Sequence, residues 1–344
     1  MRQATAGAQL LEGFLFALAS LLLYYFGVGV LFFLIPLQVV GARRGFRALL
    51  AAVGMFLALL AGVRLVTVLS SAGLAGDTGL LMAVEAFAIA VLLLGLLAVN
   101  LPWPRVARTL LKMLAAATLA GLLSIPLVVA LAASPAFTQA MEAAFTDMSK
   151  VIGSLFVAAD GNAASALASV LEPSKLMEFT RAWFLRSFAA GYLALLAFSW
   201  WAGSASAARS IAVRAGMPPA HAPGLRLAGF RLESVYLWPL IVSWAAIGLD
   251  LLVGLSVFSY AVWNIGLAML FLYGLQGMAI MRFHFEKHRL PRILWVLLVV
   301  GLAVLAASPR AGLVVMVAVP LFGISENWIR YRVGVTRGAD ERKE

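Results

Sequence analysis

Five polar or charged side chains lie inside long apolar stretches of this sequence. They are Arg64, Glu85, Arg186, Asp250 and Asn264. An ionisable side chain is costly in hydrocarbon, so it usually faces the interior of a helix bundle or a cavity and carries function there. The two cations and two anions of this set can also neutralise each other, because an opposite charge nearby lowers the cost of burying either sign.

The apolar stretches predict the elements that hold these side chains. The 344 residues are 63% hydrophobic and 12% charged, whereas a soluble domain carries about 25% charged residues. Several runs of about 18 or more residues with almost no charge are typical of membrane-spanning helices. They are too long, and too apolar on every side, for the strands of a membrane barrel. The sequence therefore predicts an all-α, polytopic transmembrane bundle that forms one domain over residues 1–344.

The bundle is expected to contain about nine or ten membrane segments. The apolar runs lie at 10–26, 28–41, 46–70, 78–99, 107–133, 180–203, 235–257, 261–281, 292–307 and 311–329. The first two form one run that is too long for a single crossing without a steep tilt. Gly27 and Gly29 lie in its middle, so we interpret it as two short segments bent at these glycines, with one tilted helix as the alternative.

Basic residues occupy every second connection between the segments, from Arg43, Arg44 and Arg47 near the start to the tail at 330–344. Connections rich in arginine and lysine stay on the cytoplasmic side of a bacterial membrane. We therefore expect an inner-membrane protein whose basic tail, residues 330–344, lies in the cytoplasm. The net charge of +11 then reflects topology. Nucleic-acid binding is not expected, because no basic patch interleaved with aromatic residues is present.

This orientation places all five polar residues in the outer part of the membrane. We hypothesise that they line one outward-facing pocket. The alternative is that Arg64 with Glu85, and Arg186 with Asp250, form separate buried ion pairs, or that some side chains reach the interface.

One outer connection, residues 135–179, is longer than a turn and has its own periodicity. Apolar side chains recur there at steps of three and four, at Phe137, Met141, Phe145, Met148, Ile152 and Leu155. This spacing indicates an extracytoplasmic amphipathic helix inserted between two spans. Such a helix either covers the edges of the bundle at the membrane surface or forms a lid over the outer pocket.

Motifs of soluble enzymes do not occur in the sequence. Cysteine is absent, which excludes disulfides, thiolate metal sites and a cysteine nucleophile. His284 and His288 are spaced as metal ligands can be, but cations surround them, and we expect a solvated helix end rather than a metal site. We therefore assign no catalytic residue, no metal and no cofactor, and do not expect an enzyme.

Several short segments resemble the YybS-like family of bacterial membrane proteins. They are Ile35-Pro36-Leu37, Gly41-Ala42-Arg43-Arg44-Gly45, Phe230-Arg231-Leu232-Glu233, Leu275-Gln276-Gly277-Met278-Ala279 and Gly323-Ile324-Ser325-Glu326-Asn327-Trp328-Ile329-Arg330-Tyr331-Arg332. This family is in turn similar to the substrate-capture (S) components of energy-coupling-factor transporters and to the cell-shape protein MreD.

The resemblance implies an S-component-like core with extra C-terminal helices. In S components an outward-facing pocket capped by loops binds a small molecule, and small residues of the first helix contact a coupling subunit. Gly13 and Ala17 are spaced to allow such a close helix contact, although they equally suit packing inside the chain.

Two functions are therefore expected. In the first, Arg64, Arg186 and Asn264 contact a polar small molecule, and Glu85 and Asp250 balance the charge. In the second, the chain is an MreD-like scaffold that joins a membrane protein partner within the lipid bilayer.

Overall fold

The computed structural model describes residues 6–70, 77–103, 108–155, 172–216, 227–308 and 311–332. Over these residues the fold is an all-α bundle, as the sequence predicts, and it contains eleven α-helices. They are α1 (Ala6–Tyr25), α2 (Leu34–Arg44), α3 (Phe46–Ser70), α4 (Asp77–Asn100), α5 (Thr109–Ala132), α6 (Pro135–Leu155), α7 (Pro173–Arg214), α8 (Leu237–Val253), α9 (Val257–Lys287), α10 (Arg292–Ala307) and α11 (Ala311–Ser325).

Six stretches of these helices are long and apolar enough to cross a membrane: α3, α5, α7, α9, the part of α4 from Met82 and the segment Ser234–Val253 that includes α8. Three shorter apolar helices are Leu10–Tyr25 within α1, α10 and α11. At about 1.5 Å per residue, α10 and α11 are shorter than the hydrocarbon core of about 30 Å. By length and composition, the chain is a multi-pass membrane protein.

The helices form two compact units. Unit 1 covers Met1–Gly224 and holds α1 to α7, and unit 2 covers Leu225–Glu344 and holds α8 to α11. Two short 3₁₀ turns, Leu227–Gly229 and Ser234–Tyr236, precede α8 in unit 2.

The first apolar run folds back on itself. A 3₁₀ turn over Gly27–Leu31 separates α1 from α2, and Gly27 has a φ of 47°, a conformation that favours glycine. Near the start of α1, Glu12 accepts a 2.7 Å hydrogen bond from Arg44 at the end of α2. The predicted bend at the glycines is therefore confirmed, whereas a second membrane crossing by α2 stays a prediction.

The core of unit 1 is built on two close helix contacts, α1 with α3 and α2 with α7. At the second contact Gly203 faces Gln38, and a Cβ atom at Gly203 would lie 2.6 Å from the Gln38 Cβ. The small residue thus lets the two backbones approach closely enough for a polar side chain to be enclosed between them.

The helix predicted in the long outer connection is present as α6, where Phe145 is buried and Met148 is exposed. The next helix, α7, starts at Pro173, whose fixed φ suits the first helical position. It then runs for 42 residues, or about 63 Å at 1.5 Å per residue. The predicted span at 180–203 is therefore the middle of a much longer helix. Residues 156–171 of the predicted connection lie outside the described residues.

In unit 2, α9 and α11 cross with their backbones in contact. A Cβ atom at Gly277 would collide with the carbonyl oxygen of Val319, and one at Gly323 with that of Tyr273. Most of the predicted tail, residues 333–344, lies outside the described residues, whereas Arg332 at its start is tied into unit 2 by bonds described below.

Candidate functional site

Arg64 and Glu85 are brought together in unit 1. Arg64 on α3 and Tyr24 near the end of α1 both donate to the same carboxylate oxygen, Oε1, of Glu85 on α4. The Arg64 guanidinium also lies 5.6 Å from the centre of the Tyr25 ring, a cation–π distance. We call Tyr24, Tyr25, Arg64 and Glu85 the Glu85 cluster. It joins three apolar helices through one carboxylate.

Aromatic side chains pack against one side of this cluster. The Tyr24 ring meets Phe33 and Phe56 edge-on, at centroid distances of 5.7 Å and 6.5 Å, and the two phenylalanines are buried. Arg64 and Glu85 each keep about a third of their side-chain surface exposed (30%). The pair is therefore held by apolar packing on one side and is only partly enclosed by the protein.

The other predicted site residues lie elsewhere. Arg186 is a half-buried residue of α7 in unit 1. Asp250 and Asn264 belong to α8 and α9 of unit 2. The Arg64–Glu85 ion pair, one of the two predicted alternatives, is thus present. The pairing of Arg186 with Asp250, and the single pocket of five residues, stay predictions.

Asp250 is a buried carboxylate that holds the turn between α8 and α9. It accepts hydrogen bonds from the Leu255 N–H (2.7 Å), the Ser259 hydroxyl (2.7 Å) and the Trp263 indole N–H (2.9 Å). Three donors thus satisfy the hydrogen-bonding capacity of this buried carboxylate. Asn264 donates to the carbonyl oxygen of Tyr260, one turn earlier in α9.

Gly13 and Ala17, predicted as a partner contact, face the interior of unit 1. Both are buried, and a Cβ atom at Gly13 would lie 3.9 Å from the Met55 sulfur on α3. A partner could use this face of α1 only if α1 and α3 separated. The role in partner binding stays a prediction.

At the other end of α1, a second charged group joins helices of unit 1. Arg43 Nη1 lies 2.6 Å from Glu12 Oε1, and Arg44 Nη2 lies 2.7 Å from Glu12 Oε2. Arg214, the last residue of α7, is close enough for its charge to act on Glu12 and Arg43. We call these four residues the Glu12 cluster. In the sequence these arginines were used only to predict the topology. The feature that could have indicated the cluster is Glu12, the one acidic residue of the first predicted segment.

A neutral network lies on the same part of unit 1. The Gln38 amide is buried and donates to Ser204 (3.1 Å) and to Asn100 (3.2 Å), and Asn100 donates back to Gln38 at 2.7 Å. These bonds link α2, α4 and α7. Every partner of a buried amide matters in such a network, because an unsatisfied polar group is expensive in an apolar surrounding.

Unit 2 contains a polar cluster around Gln276, which the sequence marks as a residue able to hydrogen-bond between helices; its other members were not anticipated. Gln276 on α9 accepts from the Leu232 N–H (2.9 Å) and donates to Glu326 (2.9 Å), and Arg332 donates to the same Glu326 oxygen (2.7 Å). Arg332 also donates to the carbonyl of Ala228. Three segments quoted for the family resemblance, at 230–233, 275–279 and 323–332, therefore meet here, although they are far apart in sequence.

Unit 2 also carries an apolar groove of about 330 Å³ between α8, α9 and α11. Its lining includes Trp244 of α8, Leu270 of α9 and Val317 and Leu321 of α11. Among the described residues of the two units, no group of three or more His, Asp or Glu side chains could hold a metal ion.

The fold and these clusters define a multi-pass, all-helical membrane protein with carboxylate-centred ion clusters at both ends of its first helix. No family model, no curated protein and no solved structure matches the chain. The resemblance to YybS-like proteins and an S-component-like core accordingly stay predictions.

Proposed function

We propose that the chain captures a small anionic molecule at the Glu85 cluster, on the outer side of a bacterial inner membrane. One observation supports this most: a carboxylate with 30% of its side-chain surface exposed binds both Arg64 and Tyr24 between apolar helices. The basic connections favour the outer side for this end of unit 1, since they lie at the opposite end of these helices.

The proposed exchange is simple. In the empty protein Glu85 neutralises Arg64. An anionic group of the ligand replaces Glu85 as the partner of Arg64, because a guanidinium fork can bind two oxygens at once. Tyr24 is then available to hydrogen-bond to the ligand or to Glu85. No ATP-binding motif occurs in the sequence, so a partner or an ion gradient would drive any transport.

Ligand binding to variants of the purified, full-length protein tests this proposal. A thermal-shift screen against carboxylate and phosphate metabolites would find the ligand, and titration calorimetry would give its affinity. We expect Arg64→Gln to weaken binding about tenfold or more, the value of one charge-assisted contact. Arg181→Gln removes an exposed arginine of α7 and is the matched control that should bind as wild type does.

A second variant guards against misfolding, because Arg64→Gln leaves Glu85 without its cation. The double variant Arg64→Gln/Glu85→Gln has no charge at either position, so it should fold. It still lacks the Arg64 cation that would bind the anionic ligand, so it should not bind. Equal binding by wild type and by this double variant would refute the proposal, as would a screen in which no anionic metabolite raises the melting temperature.

A second candidate function is a membrane scaffold. The apolar groove of unit 2 favours it, together with α10, which has no buried residue within the described structure. Both could receive a transmembrane helix of a partner. Co-purification of a stoichiometric membrane protein, lost on Val317→Trp within the groove and kept on Arg64→Gln, would support this function over ligand capture.

A further inference from the structure

We propose that the Glu12 cluster is a binding site for a phosphate group, carried by a lipid headgroup or by a soluble phosphate ester. The site lies at the other end of α1 from the Glu85 cluster: at about 1.5 Å per residue, Glu12 and Tyr24 are about 18 Å apart along the helix. It does not depend on the ligand proposed for the Glu85 cluster.

The charges of the cluster do not balance. Both oxygens of Glu12 are already used, Oε1 by Arg43 and Oε2 by Arg44. Arg214 adds a third cation to this single carboxylate. Two positive charges therefore remain, and a doubly charged phosphate would neutralise them.

Arg43 provides the second observation. Its side chain is 8% exposed, and its Nη2 atom is buried without a hydrogen-bond partner in the described chain. A buried guanidinium nitrogen rarely stays unsatisfied, because water can no longer take the place of the missing acceptor. An anion oxygen that displaced the atoms now covering Nη2 would supply that acceptor.

The electrostatics of Arg43 point the same way. Burial lowers the pKa of its guanidinium, Glu12 opposes this, and the charges of Arg214 and Arg44 lower the pKa further. Burial is the largest cause of this lowered pKa, and the two other arginines add to it. A bound anion would act against the lowering, as Glu12 does.

The backbone next to the arginines suits a phosphate. Gly45, with a φ of 88°, ends α2, and α3 starts at the next residue. The first N–H groups of a helix have no intrahelical partner and carry partial positive charge. Arg43 and Arg44 end the helix just before this start, and two guanidinium groups can bind several oxygens of one phosphate, where a carboxylate offers only two.

The test uses the full-length protein in two arms that separate the two sources of phosphate. In the first arm, inorganic phosphate and glycerol phosphate are titrated into lipid-free detergent at constant ionic strength, with the melting temperature as readout. In the second arm, native mass spectrometry counts retained phosphatidylglycerol against phosphatidylcholine. Constant ionic strength removes general screening from the comparison.

Four variants test whether binding depends on the residues of the Glu12 cluster. Arg214→Gln removes one cation and should weaken phosphate binding about tenfold. Arg43→Lys keeps the positive charge beside Glu12 but loses the buried guanidinium group, so it should fold but bind phosphate more weakly than wild type. Glu12→Gln removes the competing carboxylate and should bind at least as tightly as wild type. Arg209→Gln removes an exposed arginine of the same helix as Arg214 and should change nothing.

Selective retention of the anionic lipid alone would assign the site to a headgroup, and stabilisation by the soluble phosphates alone would assign it to a phosphate ester. Either result supports the proposal if the measured retention or stabilisation is smaller in Arg214→Gln and in Arg43→Lys and is unchanged in Arg209→Gln. Absence of both effects in wild type, or equal loss in Arg209→Gln and Arg214→Gln, would overturn it.

Discussion

The charged clusters at the two ends of α1 differ in how their charges balance. Each end has one carboxylate that joins neighbouring helices through arginine. In the Glu85 cluster a single arginine and a tyrosine donate to that carboxylate, so its charges cancel. In the Glu12 cluster two arginines bind the carboxylate and the charge of a third, Arg214, acts on it from further away, so the charges do not cancel.

The difference follows from where each cluster lies relative to the apolar helices. Arg64 and Glu85 lie within helices that can span the membrane, where an unpaired charge is expensive and a one-to-one pair is the least costly arrangement. The Glu12 cluster lies at helix ends, where its exposed members Arg44 and Arg214 can be compensated by water and anionic headgroups. Charge balance is thus imposed inside the apolar region and relaxed at its edge.

The largest effect is expected from unbalancing the Glu85 cluster. Glu85→Leu leaves Arg64 in an apolar helix without its carboxylate. Removing one partner of a buried pair costs about 3–5 kcal/mol, and the exposure of this pair, 30% for each side chain, reduces our expectation to about 2 kcal/mol. Denaturation of the full-length protein in one fixed detergent measures the loss.

The double variant Arg64→Leu/Glu85→Leu is the control for this prediction. It removes both charges together and leaves no unpaired ion, so most of the stability should return. If the double variant were less stable than Glu85→Leu, charge balance would not be what the cluster contributes.

A smaller loss is expected from Gln38→Leu, which tests whether neutral bonds hold the helices near the Glu12 cluster. Gln38 is almost fully buried (1% exposed) and links Asn100 and Ser204. Leucine leaves both partners without this amide, and a lost buried hydrogen bond costs about 1–3 kcal/mol. We expect about 1.5 kcal/mol, since Asn100 keeps its bond to the Leu96 carbonyl.

Ser204→Ala is the matched variant, because it removes one bond and leaves the Gln38–Asn100 pair intact. Its loss should be less than half of that for Gln38→Leu. Equal losses in the two variants would mean that packing against Gly203, rather than the hydrogen bonds, explains the effect of Gln38.

Glu12→Gln should separate the two charged clusters by their response to salt. It leaves three arginines facing each other, which we expect to cost about 1 kcal/mol in low salt. Salt screens repulsion between partly exposed charges, so the loss should shrink in high salt. The loss caused by Glu85→Leu lies within apolar helices and should change little. The same salt response for both variants would remove the distinction between the two ends of α1.

Hydropathy alone was sufficient for most helices, because a span needs about 20 apolar residues whatever it packs against. The bend at Gly27 was predicted for the same reason: the run was too long, and glycines marked its middle. A helix start at Pro173 was predicted and is confirmed, whereas the extension of this helix beyond residue 203 was not predicted, since that end is polar.

The site was predicted only in part. Arg64 and Glu85 could be paired because similar depths in neighbouring spans bring opposite charges together. Tyr24 was missed, since an aromatic residue in an apolar run is usually a core residue. Gln276 and Glu326 were missed as a cluster because depth says nothing about which of several faces a side chain occupies.

The smallest effect is expected on α6, where Lys150 and Asp147 form an ion pair that belongs to neither cluster. Their side chains are 71% and 76% exposed, and exposed pairs of this kind contribute about 0–1 kcal/mol. Lys150→Ala should therefore change the free energy of unfolding by less than about 0.5 kcal/mol, at low and at high salt. This variant sets the baseline for losing an ion pair that joins no helices. If it lost as much stability as Glu85→Leu in the same detergent, the location of a pair relative to the apolar helices would not decide its value, and the contrast between the two ends of α1 would need another cause.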